Sequence, residues 1–148
     1  MEITENFHNP AQELKLPSVY TPSEEEPYMN PGQLEYFKQK LLRWREKLIQ
    51  ELDETISSLK DESFREIDLL DQGALETSMS LRLRSRERDR KLIRKIDDAL
   101  ERIRNGSYGY CEETGEEIGI KRLEARPTAT LSLEAQEWHE HQERMHWL

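Results

Sequence analysis

Thirty-one carboxylates, four histidines and one cysteine are the groups in this 148-residue chain that could move a proton or hold a metal. They do not assemble into a catalytic pattern. No nucleophile stands beside a histidine and an acid, no glycine-rich phosphate loop occurs, and no metal-ligand set is spelled out, so the sequence does not read as an enzyme. Cys111 is the single cysteine, which rules out an intrachain disulfide. Its plain reading is a small buried or half-buried structural residue. His139 and His141 lie two apart on an expected helix and therefore point to different sides.

The other chemistry-bearing feature is a run of cations. Between Arg82 and Lys95 stand Arg82, Arg84, Arg86, Arg88, Arg90, Lys91, Arg94 and Lys95, against only Glu87 and Asp89. On a helix, Arg82/Arg86, Arg84/Arg88, Arg86/Arg90, Arg90/Arg94 and Lys91/Lys95 are like-charged neighbours four apart. Each such pair costs roughly 0.2–0.5 kcal/mol. The run is either a solvated face or a surface whose repulsion is offset by an anionic partner, an acidic protein or a phosphorylated ligand. The whole chain carries a formal net charge of -9, so general affinity for nucleic-acid phosphates is not expected.

The elements that must position these groups are helical. Hydrophobic residues make up 34% of the chain and charged residues 36%, which points to much solvated helix surface. Asn30 suits an N-cap, Pro31 the first helical position, and Gln33 the closing residue of a capping box. Leu34, Phe37, Leu41, Trp44, Leu48, Leu52, Thr55 and Leu59 then recur at steps of three or four, a coiled-coil seam with one polar position. This helix is expected to reach about Glu62. A second helical pattern runs from about Asp71 to Arg104, with Leu92 or Ile93, Ile96, Leu100 and Ile103 on its seam, and Asn105-Gly106 ends it. Two such helices joined by a short link make an antiparallel hairpin about 45 Å long.

Beyond the hairpin the pattern changes. Tyr108–Cys111 and Ile118–Ile120 read as two short strands around a turn at Thr114-Gly115. Ser132 is placed to cap a last helix through about Met145, with Ala135, Trp138 and His139 on one face. Residues 1–29, with four prolines and the acidic run Glu24–Glu26, either pack on the body as an extended arm, through Leu14–Tyr20, or form a disordered tail. The expected architecture is mainly α. Residues 1–29 form the arm, 30–105 a long antiparallel coiled-coil hairpin with its tip at about 63–74, and 106–148 a small globular head. No apolar run is long enough to span a membrane and no signal pattern opens the chain, so a cytoplasmic protein is expected.

The segment Tyr110-Cys111-Glu112-Glu113-Thr114-Gly115-Glu116-Glu117-Ile118-Gly119-Ile120-Lys121-Arg122-Leu123-Glu124-Ala125-Arg126-Pro127 closely resembles the zinc-finger region of the DksA/TraR family. Its Gly-Ile-Lys-Arg-Leu-Glu-Ala-Arg-Pro run is far more specific than a generic zinc pattern. Arg84–Ile96 and Tyr28-Met29-Asn30 agree, and the similarity spans about Tyr28 to Glu140. The resemblance implies a monomeric transcription regulator that inserts a coiled-coil hairpin into the secondary channel of RNA polymerase, core or holoenzyme. Such a protein reads no promoter sequence and alters initiation together with the alarmone ppGpp, as in the stringent control of ribosomal RNA promoters.

Carried onto this chain, the resemblance assigns roles residue by residue. The family's Asp-x-x-Asp-x-Ala tip matches Asp68 and Asp71, with Gly73 at the alanine position and Ala74 beside it. These carboxylates suit a basic or backbone-donor target on polymerase, or they cap the second helix. Arg84, Arg88 and Lys91 lie on the basic helix face, and Leu92, Lys95 and Arg126 match ppGpp-contacting positions, while a further basic position is Gln136 here. The four family cysteines correspond to Cys111, Thr114, Ser132 and Ala135, so one thiolate donor remains. Structural zinc takes four Cys or His ligands, and zinc is expected to be absent. Packing by Leu123, Leu131, Leu133 and Trp138, with hydrogen bonds from Thr114 and Ser132, is expected in its place. Two rivals remain: a Gre-like transcript-cleavage or elongation factor, which also presents an acidic tip, and a structural coiled-coil adaptor.

Overall fold

A computed structural model describes residues 17, 19–65 and 72–147. Two long helices dominate it, α1 (Pro31–Arg65) and α2 (Gln72–Asn105), followed by a short α3 (Ile120–Ala125) and by α4 (Leu133–His146). α1 starts where the capping residues put it. The Asn30 Oδ1 accepts the Gln33 backbone N–H at 3.0 Å, and the Gln33 Oε1 accepts the Met29 N–H at 2.8 Å. Side chains thus satisfy two donors that the helix start leaves free.

The two helices pack through Phe37, Leu41 and Leu48 of α1 and Ile96 and Ala99 of α2, all buried. Trp44, Leu92, Ile93, Leu100 and Ile103 border this seam and are half-buried. The apolar seam is strongest toward the head. Further along the arm, Leu52 and Thr55 are only partly covered, Leu81 and Leu83 are exposed, and the buried seam position of α2 is Asp89.

The head closes over the open end of the hairpin. Tyr108 is buried, donates its hydroxyl to the Pro127 carbonyl at 2.8 Å, and lies 5.8 Å from the Phe37 ring. The Tyr28 hydroxyl donates to the Gly109 carbonyl at 2.6 Å and accepts the Gly119 N–H at 2.9 Å. Gly109 has φ 90°, and a Cβ there would stand 2.8 Å from Met29 Cγ. Only glycine meets both demands.

The expected β-hairpin of Tyr108–Cys111 and Ile118–Ile120 does not form. Among the described residues there is no strand, only one antiparallel bridge between Tyr110 and Glu117. The reason is local: Gly119 turns the chain at φ 102°, and Ile120 opens α3 instead of continuing a strand. Pairing is confined to bonds such as Ile118 N–H to Gly109 O, 2.8 Å, and Cys111 N–H to Glu116 O, 2.7 Å.

The stretch ahead of α1 packs on the body. Tyr20 donates to Glu26 Oε2 at 2.6 Å, and its ring lies 6.1 Å from that of Tyr36. The fully buried Gln33 donates its Nε2 to the Ser23 carbonyl at 3.1 Å. Leu14 and its neighbours up to Leu16 lie outside the described residues.

Candidate functional site

Cys111 is buried in the turn that follows Tyr110. Burial pushes its thiol up, but the Thr114 hydroxyl and the backbone N–H groups of Ser132, Thr114 and Glu113 outweigh it and hold the thiol down at about 6. Ser132 caps α4, its Oγ accepting the Ala135 N–H at 3.2 Å. The four positions Cys111, Thr114, Ser132 and Ala135 therefore offer one thiolate, two hydroxyls and a methyl group. Among the described residues no group of three or more His, Cys, Asp or Glu could hold a metal ion. His139, an alternative ligand on α4, pairs with Glu113. The donor set does not fit a structural zinc ion.

Part of the expected packing here is corrected. Leu123 and Ala135 are buried and Leu131 is half-buried, but Leu133 and Trp138 are 56% and 57% exposed. The small residues Ala135 of α4 and Ser132, its N-cap, are the buried ones here. Trp138 stays on the rim, 5.2 Å from the His139 ring.

A cleft of about 500 Å³ opens between the last turns of α2, α3 and the segment leading to α4. Lys95 and Arg126 both line it, as do Gln136, Arg102 and Arg122, and so do the carboxylates Asp98, Glu101 and Glu112. Leu92, one turn before Lys95, packs against the core instead of lining the cleft. Arg122 is fixed by its Nε–H to the Leu131 carbonyl at 3.0 Å. Arg102 reaches Glu112 Oε1 at 3.2 Å. The sequence reading passed over Arg102 and Arg122. A signal for the first was present: Lys95, Asp98 and Arg102 are spaced i, i+3, i+7 and share one helix face.

Along α2, Arg84, Arg88 and Lys91 are exposed. Arg88 has its guanidinium 3.9 Å from Asp89 and is otherwise open to solvent. At the far end, Asp68 and Asp71 lie outside the described residues. Gly73 is exposed within the first turn of α2, where its carbonyl accepts the Thr77 hydroxyl at 3.0 Å. Ala74 follows in the same helix.

The two long helices thus form an arm whose α2 exposes cations, and the cleft at its base sets Lys95, Arg102, Arg122 and Arg126 beside Asp98, Glu101 and Glu112. Residues 33–103 match the family described as DnaK suppressor protein DksA, N-terminal domain, and residues 106–141 match the prokaryotic dksA/traR C4-type zinc finger. An RNA polymerase-binding transcription factor DksA of Caulobacter vibrioides (strain NA1000 / CB15N) is 61% identical over 129 residues, 87% of this chain and 91% of that protein. The protein of the same description from Escherichia coli (strain K12) is 47% identical over 109 residues, 74% and 72% of the two chains. The structure of transcription factor DksA2 from Pseudomonas aeruginosa superposes with a TM-score of 0.70 at 42% identity, covering 79% of this chain and 90% of that one. The chain belongs to the DksA family of transcription factors.

Proposed function

We propose that this protein binds RNA polymerase directly, extends its hairpin into the enzyme's secondary channel, and modulates initiation with ppGpp held in the cleft at the hairpin's base. The observation that carries this reading is the cleft itself. It brings together Lys95 from α2 and Arg126 from the segment after α3, 31 residues apart in sequence. Two cations from separate elements converging on one opening suit a ligand with several phosphates. The exposed Arg84, Arg88 and Lys91 suit an acidic protein surface. The protein acts as a monomer in the cytoplasm, without sequence-specific DNA binding, without a catalytic centre and without zinc.

The test is retention of the chain on core RNA polymerase, followed by transcription from a ribosomal RNA promoter with and without ppGpp. Stoichiometric binding and a ppGpp-dependent change in initiation are expected. Failure to bind polymerase would remove the reading. Cleavage of RNA in backtracked polymerase would favour the Gre-like alternative, and sedimentation as a dimer the adaptor.

A further inference from the structure

Arg102 differs from the other cations of the cleft in how its charge is occupied. Its side chain is only 14% exposed, and its Nη1 donates to Glu112 Oε1 at 3.2 Å. Its Nη2 is buried without a hydrogen-bond partner. The guanidinium therefore stands at the wall of the cleft with its Nη2 closed off from solvent and its Nη1 held by one monodentate contact to a carboxylate that is itself 57% exposed. Lys95 and Arg126, by contrast, have no ion-pair partner among the described residues and already face the opening. Glu112 belongs to the turn after Cys111 and also lines the cleft. Its backbone N–H is tied to the Thr130 carbonyl at 2.9 Å, so the carboxylate is delivered to Arg102 from a fixed base.

We propose that Arg102 is a further phosphate-binding residue of this cleft and that Glu112 is its built-in competitor. In the free protein the carboxylate holds the guanidinium. A polyphosphorylated ligand takes over that contact and must displace a negative charge to do so. The glutamate thus sets how much ligand is needed, and in this chain it works beside Gln136, a neutral residue that gives a phosphate no charge. Asp98 and Glu101 also line the cleft and oppose an anion, so a ligand carrying several negative charges displaces Glu112 where a monoanion does not, and the site selects for charge. This inference rests on the reading of the cleft as a ppGpp site.

The two partners of one ion pair give opposite signs under this proposal, which separates it from a structural bridge. Full-length protein with RNA polymerase is titrated with ppGpp, and the concentration at half-maximal effect on initiation is read. Glu112→Gln is expected to lower it severalfold, since a bound competitor is removed. Arg102→Gln is expected to raise it about tenfold, the usual consequence of losing one charge-assisted hydrogen bond. Arg102→Lys, which keeps charge without the fork, falls between. Melting temperature reports folding for each variant. If both substitutions raise the half-maximal concentration, the pair is only a strut and the proposal is overturned. If Lys95→Ala and Arg126→Ala shift the titration while Arg102 and Glu112 variants do not, the proposal falls and the cleft reading stands. If none of the four positions matters, the cleft reading falls and takes the proposal with it.

Discussion

The sulfur of Cys111 is ringed by donors: the Thr114 hydroxyl and the N–H groups of Ser132, Thr114 and Glu113. These are groups that favour a thiolate with or without a metal. Titration of the single thiol by its absorbance near 240 nm should show a midpoint close to 6, well below the ordinary 9.0. A depressed folded-state value has a definite consequence for stability. The bound thiolate contributes fully above pH 9 and its contribution is lost as pH falls through about 6. The melting-temperature gap between wild type and Cys111→Ser should therefore widen from pH 6 toward pH 9, and a flat gap would show that the thiol is not ionised in the fold. Protein purified without chelators should carry far less than one zinc per chain, and chelator should leave the melting temperature unchanged. Stoichiometric zinc lost together with folding would overturn that argument. The substitution of three ligand positions is legible from residue types alone. The donors that support the remaining sulfur are not, because three of them are backbone groups brought together by the turn and by the start of α4.

At the scale of elements, the seam is legible because its apolar steps are regular, whereas the expected strand at Ile118–Ile120 depends on the backbone of one glycine. Asn30, Pro31 and Gln33 announce α1, and Phe37, Leu41 and Leu48 land on its buried face because their spacing keeps them on one stripe. Ile118-Gly119-Ile120 alternates like a strand, yet the positive φ of Gly119 redirects the chain into the six-residue α3. Nothing local distinguishes those outcomes; the Tyr28 hydroxyl, from 91 residues away, takes the Gly119 N–H and fixes the turn. Trp138 was misplaced for a related reason. Ala135 is the buried residue of α4 and Trp138 lies on its exposed side, which residue hydrophobicity alone does not signal. The seam itself makes a quantitative prediction. Ile96→Ala removes a fully buried side chain between the two helices and should cost about 2–5 kcal/mol in denaturant unfolding. Leu81→Ala, on the same helix but 60% exposed, should stay within about 0.5 kcal/mol. Equal losses at the two positions would mean that the arm packs along its whole length.

For the molecule as a whole, the proposed function has the arm separate attachment from action. α1 alone has 35 residues, about 50 Å of helix, so groups at the head and groups at the tip meet different parts of any partner. The exposed cations of α2 lie along the arm, and the cleft lies at its base. Asp68 and Asp71 fall in sequence between the last residue of α1 and the first of α2, and on the proposed reading they come nearest the catalytic machinery. Arg88→Ala and Lys95→Ala should therefore weaken polymerase binding and alter its salt dependence, since exposed cations act through charge complementarity that ions screen. Asp71→Asn should lower affinity modestly but impair the effect on initiation, because one charge-assisted hydrogen bond contributes about 1.5–3 kcal/mol, a fraction of a whole interface. The comparison requires binding and transcription to be measured on the same preparations of Asp68→Asn, Asp71→Asn, Arg88→Ala and Lys95→Ala. If the tip variants bind and regulate as wild type does, the carboxylates do no more than start α2. The site of action then lies along the basic face, and the arm is a spacer for the head.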